Sequence, residues 1–158
     1  MAKTHQYTVD LKWTGNQGTG TTSYKSYSRD HLIKVENKTI IECSSDPAFR
    51  GNANKYNPEE LFLAALANCH MLWCLHLCSE ANVVVLKYED SPEGTMIENK
   101  DGSGQFSEVI LNPHVEVADE SMVSKAITLH EAAHEKCFIA NSVNFPVEHA
   151  PVAVFFLL

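Results

Sequence analysis

Asn57 to Glu80 reads NPEELFLAALANCHMLWCLHLCSE, and the reading of this stretch decides how the rest of the chain must be arranged. It opens as a helix opens. Asn57 can cap the first turn, Pro58 suits the first helical position because its missing N–H would have had no partner there, and Glu60 stands where a carboxylate can reach back to the cap. The sequence predicts a helix from about Pro58 to about Glu80. Leu61 to Cys78 is eighteen residues with no formal charge, long enough to raise the question of a membrane span. Asn68, His70 and His76 interrupt the run, Glu59 and Glu60 abut it, and no second such segment or basic flank accompanies it, so no membrane is expected. A soluble helix without a polar side must be covered by protein on every side. One monomer's sheet does not easily do that, and dimerisation is expected to supply the rest.

Working outward toward the N-terminus, the chain reads as strands. Gln6 to Trp13 alternates, Thr19 to Ser28 is rich in Thr, Tyr and Ser, and HLIKV (31–35) and TIIEC (39–43) flank a turn-like ENK. SSDPAFRGNANKY (44–56) is a Pro, Gly, Asn and Ser-rich loop that leads into the helix. On the other side, NVVVLKYED (82–90), GTMIEN (94–99) and QFSEVILNPHVEV (105–117) read as strands, with KDGSG as a loop. A second helix is predicted from Asp119, a plausible cap, to about Glu135, and the apolar run Pro151 to Leu158 suits a buried strand. This order predicts an α+β fold with antiparallel sheet in a single domain, 1–158.

Charge and cysteine usage narrow the function. Twelve Lys+Arg against twenty Asp+Glu give a net charge of -8 with no basic run, so an acidic surface has no counterion-release gain to offer nucleic acid. The start, MAKTHQYTVDLKWTG, lacks an apolar segment and a cleavage site, and predicts a cytoplasmic protein. Five cysteines, an odd number, then read as thiols in a reducing compartment rather than as a disulfide framework.

Of these, Cys43 ends a strand, Cys69 lies midway along the first helix, Cys74 and Cys78 lie farther along it, and Cys137 follows the second helix. A nucleophilic thiolate needs positive charge nearby, and Cys69 is about 16 Å beyond Pro58 at ~1.5 Å per residue, too far for the helix dipole. A cationic side chain is required, and the chain has two arginines, Arg29 and Arg50. Arg50 precedes the helix and Glu59 stands at its start, where a carboxylate could hold the guanidinium. Competing readings exist. HEAAH at His130 to His134 satisfies the pattern of a zinc-dependent hydrolase, with Glu131 as base and His149 as a candidate third ligand, against the plainer reading of an amphipathic helix with solvent-facing His and Glu. His70, Cys74 and Cys78 fall on one helical stripe and could hold zinc or copper, against the plainer reading, which is favoured, of core packing. A non-catalytic stress-response or binding module is a third reading.

NPEELFLAALANC and HEKCFIANS resemble the two cysteine motifs of the OsmC/Ohr family, the osmotically inducible and organic hydroperoxide resistance proteins. In that family an Asn-Pro-Glu helix start is followed at ten residues by the peroxide-attacking cysteine, matching Glu59 and Cys69, and a second cysteine ends a later helix, matching Cys137. The resemblance implies an antiparallel sheet wrapped around a long central helix in an intertwined homodimer. It also implies a thiol-dependent peroxidase that reduces organic hydroperoxides, and hydrogen peroxide as a second candidate substrate. Cys69 would become a sulfenic acid, Cys137 would close a disulfide on it, and a small thiol or dithiol partner would reduce that disulfide. Arg50, held by Glu59, would activate the thiolate, with Arg29 as the alternative arginine. No metal or organic cofactor is implied. YSRDH and DPAFR set the chain apart as a distinct subgroup.

Overall fold

A computed structural model describes residues 3–156. They divide into two compact units between Leu61 and Phe62. The first unit holds an antiparallel meander, β1 (Asp10–Trp13), β2 (His31–Lys34) and β3 (Ile41–Cys43), in that spatial order. Between β2 and β3 the chain turns at Asn37, whose φ of 60° is left-handed. Lys55 Nζ ties the following loop to the sheet, 2.9 Å from Asp30 Oδ2 and 3.6 Å from Glu42 Oε2.

Thr19 to Ser28, read above as a strand, forms turns with a single bridge between Asn16 and Tyr27. The Asn16 side chain accepts the N–H groups of Gly18 and Gly20, the Ser26 hydroxyl bonds the carbonyls of Gly20 and Ser23, and both glycines have positive φ. Local side-chain bonds of this kind compete with the ladder, and they outweigh the β propensity of Thr and Tyr.

Helix α1 spans Pro58–Glu80, as its caps predict. Asn57 N–H donates to Glu60 Oε2 at 3.1 Å and Glu60 N–H donates to Asn57 Oδ1 at 2.8 Å, a complete capping box. The second unit continues with β4 (Val85–Glu89), β5 (Glu93–Glu98), β6 (Gly104–Leu111), β7 (His114–Val117), α2 (Val123–Lys136), β8 (Val147–His149) and β9 (Val152–Val154). Asp119 accepts the Ser121 N–H and opens a short 3-10 turn ahead of α2, so the predicted helix start is a cap of that turn.

The sheets of this unit are mixed, with orders β4-β7-β9 and β5-β6-β8, and this corrects the all-antiparallel expectation. β6 pairs with β8, and β7 with β9, in parallel. Parallel neighbours need a long crossover, and α2 supplies it between β7 and β8. The predicted strand 105–117 is two strands, broken at Asn112–Pro113. Asn112 N–H donates to Asp90 Oδ1 at 2.8 Å and its amide donates to Ser91 O at 2.9 Å, fixing the corner where the chain changes sheet. β8 and β9 change sheet beside it at Pro151: Ala150 N–H donates to Leu111 O and Val152 N–H to Pro113 O. The final strand is confined to Val152–Val154, and Leu157 and Leu158, which the sequence reading placed in it, lie outside the described residues.

α1 buries one stripe, Leu66, His70, Cys74 and Cys78. Leu66 joins Val109, Leu111 and Val147, while Cys74 and Cys78 join Val115, Val117, Ala126 and Ala133. The expectation of a helix covered on all sides is therefore not met within one chain. By length and composition α1 could cross a membrane, yet only 22% of its apolar window is buried, and Leu72 is 58% exposed. Packing elements on one side of a helix cover only that side, and the remaining apolar surface faces outward.

Candidate active site

Cys69 sits on α1 between the buried Leu66 and His70, and is itself half-buried. Cys137 is the residue at which α2 stops. Its backbone leaves the helix for an extended conformation (φ -68°, ψ 108°), its N–H still donates to His134 O at 3.1 Å, and its sulfur accepts the Ala140 N–H at 3.4 Å. Cys137 is 1% exposed, and Cys69 lies near enough to raise the Cys137 thiol. Burial, assisted by Cys69, pushes the Cys137 thiol up to about 11 against the opposing pull of the Ala140 N–H. The two sulfurs, 68 residues apart in sequence (137 minus 69), are both free thiols.

Cys69 also lines an open pocket of about 300 Å³ with Leu72, Trp73, His76 and Phe138. Its walls are aromatic and aliphatic. Trp73 meets Phe138 edge-on at 5.7 Å between ring centroids, and the Lys136 ammonium stands 5.7 Å from the Trp73 ring. A larger recess lies between α2 and β9 and contains no cysteine. The pocket residues Trp73, His76 and Phe138, and Lys136 beside Trp73, were not singled out as site residues in the sequence, although Lys136 and Phe138 flank Cys137 directly and that adjacency was the available signal. The arrangement can admit an apolar molecule to one thiol while a second waits buried beside it.

The arginines and Glu59 belong to the first unit. The Arg29 guanidinium lies 4.3 Å from the Tyr24 ring centroid and 4.2 Å from that of Tyr27, and donates to the carbonyls of both residues. It is committed to holding the 19–28 turns. Arg50 ends the 3-10 turn Pro47–Phe49, which Asp46 caps, and takes a left-handed φ of 65°. Its guanidinium is 6.0 Å from the Tyr24 ring. Gly51 follows because any Cβ there would fall 1.4 Å from Ser45 O. Glu59 is half-buried in the first turn of α1.

The HEAAH segment is not a solvent-facing pair of histidines, which corrects the plainer sequence reading. His130 is fully buried. One of its ring nitrogens, Nδ1, shares a hydrogen bond of 2.9 Å with His70 Nε2, and the other, Nε2, lies 3.6 Å from Cys74 Sγ. His134 stacks on His149 at 5.2 Å. Glu131 points outward with a side chain 77% exposed and reaches His149 Nε2 at 3.6 Å. Burial holds His70 down to about 3 and His130 to about 4, so both rings are neutral at pH 7. The stripe His70, Cys74 and the segment HEAAH, separate in sequence, thus meet in one buried cluster.

Residues 51–150 match the family model described as OsmC-like protein. An OsmC-like protein of unknown function from Vibrio cholerae is 28% identical, with a TM-score of 0.84 over 94% of this chain and 100% of that one. Organic hydroperoxide resistance proteins from Elizabethkingia anophelis and Legionella pneumophila share the fold at 18% identity each. Their TM-scores are 0.65 and 0.67, over 98% and 95% of this chain and 100% and 98% of theirs. Among curated proteins, none matches the chain.

Proposed function

Because the chain belongs to the OsmC-like protein family, we propose that it is a thiol-dependent peroxidase, with Cys69 as the attacking thiol and Cys137 as the resolving one. The observation that carries this reading is a pocket-lining Cys69 beside a fully buried Cys137 whose thiol burial and Cys69 hold protonated. Access assigns the roles, since only Cys69 lines the pocket.

The Cys69 thiolate attacks the distal oxygen of a hydroperoxide, the O–O bond breaks, and the leaving alkoxide takes a proton to become an alcohol. Sulfur gains that oxygen as a sulfenic acid. Cys137 then attacks the Cys69 sulfur, water leaves, and a disulfide forms. Two electrons from a small thiol or a dithiol partner restore both thiols. The apolar walls of the pocket favour organic hydroperoxides over hydrogen peroxide. The neutral resolving thiol, held up to about 11, leaves the first attack to Cys69.

The working unit of this reading is a homodimer in the cytoplasm. A second α1 would cover the outward apolar surface that includes Leu72, and Arg50 of one chain, oriented by Glu59, would supply the cation for Cys69 of the other. Arg29 is the weaker candidate because its guanidinium is already engaged by Tyr24 and Tyr27.

The test is consumption of an organic hydroperoxide with a dithiol present. Wild type should turn over and Cys69→Ser should lose activity to the uncatalysed background. Wild-type turnover by Cys69→Ser would overturn the assignment.

A further inference from the structure

The peroxide chemistry leaves unused a cation that stands beside the pocket. Cys69, Leu72, Trp73 and His76 fall at i, i+3, i+4 and i+7 of α1, so they share one helix face, and Phe138 completes the lining. No lysine or arginine occurs in α1, and Lys136 is the only one between Ala126 and Leu158. Its ammonium stands 5.7 Å from the Trp73 ring centroid, and among the described residues it enters no ion pair. We infer that Lys136 is a specificity-determining residue, which with the Trp73 wall selects hydroperoxides that join an apolar body to a carboxylate over neutral ones of the same shape. The inference rests on the peroxidase reading of Cys69 and names the substrate class of that site.

Charge and placement carry it together. The chain has a net charge of -8, so its overall field repels anions, and a carboxylate gains at the pocket only from a cation close by. The end of α2 suits a lysine because a cation there complements the helix dipole. Attraction to the face of Trp73 then draws the ammonium against a wall of the pocket, and with no carboxylate of the protein paired to it the charge is free for a ligand.

The same residues set where the anion sits. His76 is the other polar side chain of the lining besides the Cys69 thiol, and its Nε2 lies 3.6 Å from Glu80 Oε1, so that end already holds a carboxylate and disfavours a second. The anionic group therefore belongs beside Trp73. Trp73 is four residues beyond Cys69 (73 minus 69), about 6 Å along the axis at ~1.5 Å per residue, and that span separates the O–O bond from the carboxylate. A benzene ring substituted at its para positions bridges it. Such a ring also has aromatic partners, since Trp73 and Phe138 meet edge-on at 5.7 Å.

The experiment compares cumene hydroperoxide carrying a para-carboxylate with its methyl ester, a dithiol being present, for full-length wild type, Lys136→Met, Lys136→Glu and Lys136→Arg. Wild type should favour the acid about fivefold in kcat/KM at low ionic strength, the upper range for a solvent-exposed ion pair, and the preference should shrink in high salt. Lys136→Met should remove the preference, chiefly through a higher KM for the acid, Lys136→Glu should invert it and Lys136→Arg should restore it. A lysine that served the fold alone would alter acid and ester alike. Binding of 4-tert-butylbenzoate and of its methyl ester to the same proteins, followed by ligand-observed NMR, should give the same order without turnover. Equal kcat/KM for acid and ester in wild type, or a preference that survives in Lys136→Met, would overturn the inference and leave the peroxidase reading in place. Failure to consume either hydroperoxide would remove the peroxidase reading, and the benzoate pair then decides. Acid-selective binding that is lost in Lys136→Met supports the role of the cation, and equal binding of acid and ester overturns it.

Discussion

Cys69 and Cys137 are near enough to influence each other, yet they differ in access, and single substitutions should separate them. Cys137→Ser is expected to consume one equivalent of hydroperoxide and then stop, with Cys69 held as a sulfenic acid that excess peroxide drives to sulfinic acid. Mass spectrometry of the treated variant reads this as added oxygens on the Cys69 peptide, and sustained turnover by Cys137→Ser would remove its resolving role. The arginines should separate too. Arg50→Ala is expected to lower the peroxidase rate about tenfold or more through loss of an electrostatic partner. Arg29→Ala should act mainly on stability, by freeing the turns its guanidinium holds between Tyr24 and Tyr27. Steady-state rates and urea midpoints of the two variants check this. The buried histidines give the protein an acid limit. His70 and His130 are held down to about 3 and about 4, in a cluster faced by His134, His149, Glu131, Cys74 and Tyr88. Below pH 6.5 the unfolded chain takes up protons that these native rings refuse, so stability is full above that pH and falls as pH drops toward 4. The slope approaches about 1.4 kcal/mol per pH unit for each ring. Urea midpoints at pH 7 and pH 5 measure it, and equal midpoints would contradict the burial of these rings as neutral groups.

At the scale of elements, the capping box of α1 is the clearest local device. Asn57→Ala removes one side-chain acceptor and the reciprocal geometry, and is expected to lower stability by about 1 kcal/mol without changing the peroxide chemistry. Thermal unfolding checks the first part and the consumption assay the second. Both ends of α1 were legible because caps and composition are local signals. β8 was not, since three residues gain strand character only from a parallel neighbour that α2 brings alongside, and no periodicity shows in Val147–His149. Thr19–Ser28 misled because propensity spoke for a strand while Gly18, Gly20 and Asn16 had already closed the turns. Asn112–Pro113 was visible as a breaker, but its role as a corner depends on Asp90 and Ser91, twenty-odd residues earlier. Cys69 and Cys137 were found by their motifs. The meeting of His70 with His130, 60 residues apart, was beyond any local pattern, and the pocket made by Trp73 and Phe138 follows from the same tertiary approach.

At the scale of the whole molecule, the outward apolar surface of α1 and the separation of Arg50 and Glu59 from Cys69 along the chain both favour a site completed by a second copy. Subunit exchange tests this. Mixing inactive Cys69→Ser with the impaired Arg50→Ala should raise activity to about a quarter of wild type, because random exchange of equal pools makes half the dimers mixed, each with one intact site. No recovery despite demonstrated exchange would mean that each site is built within one chain. The central claim is the redox pairing of Cys69 with Cys137, and intact-mass measurement with peptide mapping after one equivalent of an organic hydroperoxide tests it most directly. The account expects the loss of two hydrogens per chain, mapped to a Cys69–Cys137 disulfide and reversed by a dithiol. An unchanged mass, or a disulfide that joins other cysteines, would contradict it.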